Sequence, residues 1–432
     1  RWENKLYAAK YDKLVRHKLG RNCLMLKIFS KKKLYAWSKR HINSDNVKVI
    51  LLLFPCLFFL VKYLMKDKVS IDKFIDVTVL VSFLLVFVCE GIAKLISSYV
   101  ERKCEEAAKL TEDYKALVKK YSRVPLIEYK GCRYPETLLA FRRADEEPFE
   151  LQISHNLFEC QYNLPSQVAE HSQELMEVHS HSKVYNSMNV RLNECVQKGN
   201  AVCLTYSQTC YFDSMITNRA MDYEWSNGKS VREIYEPGPF LNSLKDSKLS
   251  NHLGFNGFVE LEDGKLVFVI RSKDVSIGKG SLATSVGASY KTKYGLEDNR
   301  HMSSARMGNA IRCEIADELK IDLPKDLSLE KSIFAFYRDL LEGGKPQFLF
   351  YYRIPNLTVE EFEENFKEKN NSAGDDRDKV VVDGERFAYF TIEELRNAEF
   401  TINGFKIGRK EYRMMPSATV SVVLLLNHLL AM

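Results

Sequence analysis

Two long apolar runs interrupt an otherwise mixed chain. The first is Val47–Met65 (VKVILLLFPCLFFLVKYLM); the second opens at Phe74 (FIDVTVLVSFLLVFVC) and extends to about Val100. Each has the roughly 20 residues that a helix needs to cross a hydrocarbon core. The connector Lys66–Lys73 (KDKVSIDK) is short, so the pattern predicts a two-helix transmembrane hairpin over 47–100. Lys48 and Lys62 flank the first run, where long stems carry charge towards headgroups. Glu90 lies inside the second run, one turn before Lys94. In lipid that carboxylate has to be protonated, paired, or turned towards a neighbouring helix or an aqueous pore. Val100–Tyr121 then lacks Gly and Pro and repeats Leu110, Tyr114, Leu117, Val118 and Tyr121 at helical spacing. This predicts a helical stalk over 101–122 that packs on itself between protomers or docks on the downstream domain.

Beyond the stalk the periods shorten. Residues 123–239 form a mixed α/β middle region, with strand-like FELQI and NAVCLTYSQTCYF around a polar helical segment near Gln167–Val178. The breaker cluster Glu236–Pro239 (EPGP) marks a boundary, and residues 240–432 read as an α+β domain. There, GFVELEDGKLVFVIRS alternates and turns at Glu262–Gly264, a hairpin signal. A strand (SLATSVGAS), a helix over Asn309–Leu319 and two apolar strands (SIFAFYRDL, PQFLFYYRI) follow. An acidic helix, the loop NNSAGDDRDK, the strand RFAYF and a C-terminal helix (SATVSVVLLLNHLLAM) complete the pattern.

Charge adds an orientation. Residues 1–46 carry 13 Lys or Arg against Glu3, Asp12 and Asp45, although the 432-residue chain has a net charge of only +6. This basic arm is too long to be a signal peptide and is suited to anionic headgroups. The positive-inside rule places it in the cytoplasm, and two crossings return the chain there, so both termini are expected to be cytoplasmic. The remainder is slightly acidic, which excludes a whole-chain binder of DNA or RNA polymers. Ten scattered cysteines without a C-x-x-C pair read as free thiols in a reducing compartment.

The sharpest chemical signal is a carboxylate set. Glu314, Asp317 and Glu318 stand three and four residues apart, so all three approach one helix face. Clustered carboxylates repel unless a cation joins them, and oxygen-only ligands favour Mg²⁺ or Mn²⁺. Such a metal clamps a pyrophosphate and activates water. A second set, His171, His179 and His181 with Glu170, Glu174 and Glu177, has residue types that suit zinc, but its spacing is not that of a zinc motif.

Cys313–Ile321 (CEIADELKI) resembles the end of the Nudix box, Arg-Glu-aliphatic-x-Glu-Glu-x-Gly-aliphatic. It departs at three places. Cys313 stands in the arginine position, Arg312 comes one residue early and so points about 100° away, and Lys320 replaces the glycine. Upstream, Gly287 matches the first glycine only across an insertion, and Glu297 is the candidate for the upstream glutamate. The stretch from Phe240 (FLNSLKDSKLSNHLGFNGFVELEDGKLVFVIRSKDVSIGKGSLATSVGAS) is similar to the divergent Nudix effectors found beside bacterial cyclic-oligonucleotide synthases in antiphage systems. Some of these carry an N-terminal pair of transmembrane helices.

The resemblance covers about residues 240–430. It implies a Nudix-like α/β/α sandwich behind the hairpin and stalk, in a multi-pass protein of the bacterial inner membrane. Two activities follow from it. In one, a homo-oligomeric effector senses a cyclic oligonucleotide and disrupts the membrane, with ligand phosphates held by Arg271, Lys273 and Lys279. In the other, a tethered Mg²⁺-dependent hydrolase of nucleoside diphosphate derivatives uses Glu314, Asp317 and Glu318 as metal ligands, with one of these, Glu342, Asp375 or Asp376 as base.

Overall fold

Alternating strands, tight turns and two long amphipathic helices build a mixed α/β structure with several sheets. The computed structural model describes residues 110–155, 161–178, 186–225, 228–271, 278, 280–295, 302–372 and 384–431. Helix α1 (Tyr114–Lys120) precedes a minimal hairpin, β1 (Glu128–Tyr129) and β2 (Cys132–Arg133), and strand β3 (Glu136–Phe141). Next come β4 (Glu150–His155), helices α2 (Ser166–Glu170) and α3 (Ser172–Val178), and the hairpin β5 (Met188–Lys198) and β6 (Ala201–Cys210). Helices α4 (Tyr211–Met215) and α5 (Val231–Tyr235) lead to β7 (Gly254–Glu260), β8 (Lys265–Arg271), β9 (Leu282–Ala283) and β10 (Val286–Ser289). Helix α6 (Ser304–Leu319), β11 (Ile333–Asp339), β12 (Lys345–Arg353) and α7 (Val359–Ser372) follow. The chain closes with β13 (Gly384–Thr391), α8 (Ile392–Arg396), β14 (Glu399–Thr401), β15 (Gly404–Ile407), β16 (Lys410–Arg413) and α9 (Pro416–His428).

The largest sheet runs β13-β8-β7-β12-β11-β3, with β12 and β7 parallel. Strands β7 and β8 meet at the Glu262–Gly264 turn. Beyond it β9 pairs with β8, and β10 pairs with the first half of β7. Both faces are buried, so the strands read as continuous apolar runs. Phe255, Val259, Val267, Val269, Phe336, Phe348 and Phe350 pack with Met307, Ala310, Ile311 and Ile315 of α6. Phe258, Leu266, Phe268, Phe334, Tyr337 and Leu349 pack with Val420–Leu426 of α9 on the other face. Gly257 is required by this packing: a Cβ there would lie 2.0 Å from the Phe350 ring. The β4-β6-β5 sheet adds Val190, Leu192, Leu204 and Tyr206 to the α6-side core.

The expectation of a membrane architecture is corrected. Among the described residues no helix is long and apolar enough to cross a membrane. The most apolar helix, α9, has 13 residues, or about 20 Å at 1.5 Å per residue, against a core of about 30 Å. It is buried on most sides by protein, and its buried Thr419, Ser421 and His428 find hydrogen-bond partners there. The hairpin expected over 47–100 and the basic arm over 1–46 lie outside the described residues. The fold class is therefore mixed α/β with several sheets, and the multi-pass inner-membrane placement is not retained.

The stalk is corrected where it is described. Residues 110–113 are not helical, and α1 begins only after Asp113, whose Oδ1 accepts from Ala116 N at 2.9 Å. Leu117 and Tyr121 are buried against Ile216, Met221, Val231 and Leu340, so this segment docks on the body. Strand β3, at Glu136–Phe141, pairs antiparallel with β11, which joins the chain before residue 240 to the sheet after it. Cys104–Met432 forms one compact unit.

Candidate functional site

Helix α6 carries the predicted carboxylates, and it starts five residues earlier than the apolar spacing indicated. Ser303 caps it, its Oγ accepting from Arg306 N at 3.4 Å. The helix ends at Lys320, which adopts φ +59°, the left-handed conformation that glycine takes without penalty. The lysine is held there by its own side chain, with Nζ donating to Asp317 O at 2.7 Å. The replacement of the box glycine thus preserves its backbone geometry.

Glu314 does not face an open site. It is 3% exposed, and Lys291 Nζ lies 2.6 Å from its Oε1. The Tyr294 hydroxyl donates to the same oxygen. Burial, and then the Glu314 charge, push the Tyr294 phenol well above its usual range, so it remains a donor. Both groups come from the segment after β10 and act as a lid on the carboxylate. Asp317 and Glu318 are half-buried on the next turn. Among the described residues no group of three or more His, Cys, Asp or Glu side chains is arranged to hold a metal. The Mg²⁺ set expected at Glu314, Asp317 and Glu318 does not fit, because its central ligand is already neutralised by an ammonium group. Burial, followed by Asp317 and Glu314, raises the Cys313 thiol, which cannot replace the box arginine.

Arg312 has a different task. It donates to the carbonyls of Pro324, Lys325 and Leu327, each at 2.9 Å, and to Asn309 Oδ1 at 3.0 Å. It fastens the connection after α6 to the helix and does not orient carboxylates.

The remaining predicted residues are dispersed. Glu342 lies in the β11–β12 turn, with Lys345 Nζ at 3.1 Å and Arg219 Nε at 3.6 Å. Burial works to raise its carboxyl, but Lys345 and then Arg219 outweigh it and hold the group below its usual value. Arg271, at the end of β8, adds to the same field. Glu342 is thus a buried structural anion, unsuited to act as a base. Asp339, one turn away, is pushed up to about 7 by burial and by Glu342. Gly287 lies opposite Asn256 in β10. Lys273, Lys279, Glu297, Asp375 and Asp376 lie outside the described residues, as do His179 and His181. His171 stacks on Trp225 at 4.5 Å, and its Nδ1 lies 3.3 Å from Glu174 Oε2. That histidine is packed against a ring, and no zinc set is assembled around it among the described residues.

Sequence reasoning missed Lys291 and Tyr294. Their only signal is the order Lys-Thr-Lys-Tyr after a strand, which is common in exposed turns. Their approach to Glu314 depends on how β10 pairs with β7.

Neither a family model nor a curated relative matches the chain. Among solved structures it is similar to DR0079 from Deinococcus radiodurans, at 14% identity over 39% of this chain and 80% of that one. The TM-score is 0.24, too low to carry an argument.

Proposed function

We propose that this chain is a nucleotide-sensing module of the kind found beside bacterial cyclic-oligonucleotide synthases, and that its Nudix-like helix is structural. The observation that carries the choice between binding and hydrolysis is the Lys291–Glu314–Tyr294 contact. A metal ligand has to bring negative charge that is not already compensated, and the Glu314 carboxylate receives an ammonium and a phenol at Oε1. Displacing both would send the Lys291 ammonium, 29% exposed, out to water and leave the buried Tyr294 hydroxyl without its acceptor, at a cost of about 1–3 kcal/mol. The similarity of residues 240–430 to the antiphage effectors supports the ligand class.

The test is calorimetric titration of the full chain with cyclic di- and trinucleotides, with and without Mg²⁺, followed by analysis of the recovered ligand. Saturable binding with the ligand returned intact is expected. Mg²⁺-dependent cleavage of nucleoside diphosphate derivatives, abolished by Glu314→Gln, would replace this reading with the hydrolase.

A further inference from the structure

On the far side of the β4-β6-β5 sheet from the α6 core lies an open cleft of about 800 Å³, within the size range of small-molecule sites. Alternation along β5 and β6 creates it. Leu192, Leu204 and Tyr206 point into the core, so Arg191, Asn193, Thr205 and Ser207 face outward and form part of the cleft lining. Arg191 and Ser207 are direct cross-strand partners. A wall comes from Tyr162, whose backbone N–H is bound to Gln208 O at 2.9 Å. The segment carrying Lys245, Ser247 and Lys248 also lines the cleft. The Tyr162 hydroxyl donates to Lys248 O at 2.8 Å and ties these two parts together.

Arg191 is the centre of this arrangement. Its Nη2 donates to Ser247 O at 3.0 Å and to Leu249 O at 3.4 Å, and its Nη1 donates to Asn193 Oδ1. Its guanidinium lies 5.5 Å from the centre of the Tyr162 ring. Every one of these partners is electrically neutral, and among the described residues no carboxylate pairs with Arg191. A guanidinium does not lose its proton, so the half-buried wall carries a fixed positive charge that hydrogen bonds orient without cancelling. Lys245 and Lys248 add two exposed ammonium groups, also without an ion pair among the described residues. Against these three cations the described residues of the lining hold one carboxylate, Glu194.

We infer that this cleft binds a phosphate-bearing anion of nucleotide size, with Arg191 as the fixed cation and Lys245 and Lys248 closing on the charge from the rim. The hydroxyls of Thr205 and Ser207 and the amide of Asn193 suit a sugar or a base edge, and Tyr235 offers an aromatic surface. The ligand class rests on the nucleotide-sensing reading above; the location rests on the cleft alone. The site is separate from helix α6, so it works whether or not Glu314 is ever released.

The test is titration of the full chain with inorganic pyrophosphate, ADP and a cyclic dinucleotide. The wild type is compared with Lys245→Glu/Lys248→Glu and with a control of equal charge change, Lys325→Glu/Lys410→Glu. All four lysines are exposed, so both variants are expected to fold, as a thermal melt would verify. The inference predicts that the cleft variant weakens every bound ligand by roughly tenfold or more while the control stays within about twofold. Binding of pyrophosphate that is weakened in this way, without binding of either nucleotide, would keep the cleft and remove the nucleotide reading. Nucleotide binding that survives the cleft variant would overturn the cleft and keep the reading. Absence of binding by all three probes would overturn both.

Discussion

At the scale of single residues, the asymmetry of the Lys291–Glu314 pair makes a prediction. Glu314 is 3% exposed and Lys291 is 29% exposed. Lys291→Met leaves a buried carboxylate with only a phenol for support, and should cost about 3–5 kcal/mol. Glu314→Gln leaves an ammonium that can turn to water, and should cost roughly 1–2 kcal/mol. Urea denaturation of the two variants measures the difference; equal losses would show that Lys291 does not compensate the charge. Lys320 supplies a second prediction. Its φ of +59° carries a penalty of about 1 kcal/mol for a residue with a Cβ. Lys320→Gly should therefore stabilise the fold by up to about 1 kcal/mol, less the lost contact to Asp317 O. A fall in melting temperature would mean that the side-chain contact outweighs the backbone penalty.

At the scale of elements, the close approach of β7 to β12 depends on the absence of one side chain. An added Cβ at residue 257 would sit 2.0 Å from the Phe350 ring, so Gly257→Ala forces the ring to move. A loss of about 1–3 kcal/mol is expected. Gly257→Ala/Phe350→Leu should recover part of it by trimming the ring. Thermal melts of the single and double variants decide this, and a double variant that is worse by the sum of both changes would place the strain elsewhere. Helices α6 and α9 differ instructively. Helix α6 has one apolar stripe and covers one face of the sheet, whereas α9 is buried on most sides. That is why a 13-residue apolar helix occurs in a structure whose described residues hold no membrane span.

At the scale of the whole molecule, the large sheet is built from distant parts of the chain. Strand β3 completes its edge beside β11, and Ile127 and Tyr134 enter the α9-side core. A fragment of residues 240–432 should therefore fail to melt cooperatively, whereas 110–432 should show one transition by calorimetry. Equal melting temperatures would show that the earlier residues are dispensable.

Stability should also depend on pH through Glu136. It is fully buried, both carboxylate oxygens lack a hydrogen-bond partner, and burial followed by Asp339 raises it well above 4.5. A raised native value means that the folded state holds the proton more tightly than the unfolded chain. Its contribution is complete below about 4.5 and is lost as pH rises towards the native value. Glu136→Gln should gain on the wild type with increasing pH, by at most about 1.4 kcal/mol per pH unit. A difference that stays flat from about pH 5 to about pH 8 would show that Glu136 is not protonated in the fold.

Local periodicity was enough to locate the β7–β8 hairpin, the paired strands β11 and β12, the acidic helix α7 and the C-terminal helix, because each is specified by neighbours a few residues apart. The carboxylates of α6 were equally legible, since helical spacing alone puts Glu314, Asp317 and Glu318 on one face. What those carboxylates meet was decided only in three dimensions. Glu314 is closed by Lys291 and Tyr294 because β10 pairs with β7 and carries the following segment across α6. The cleft around Arg191 likewise depends on contacts between residues more than fifty positions apart. Side-chain type and short spacing are written along the chain. Whether a charge ends beside water, a counter-ion or an open cavity depends on strand register and long-range packing, which no local pattern contains.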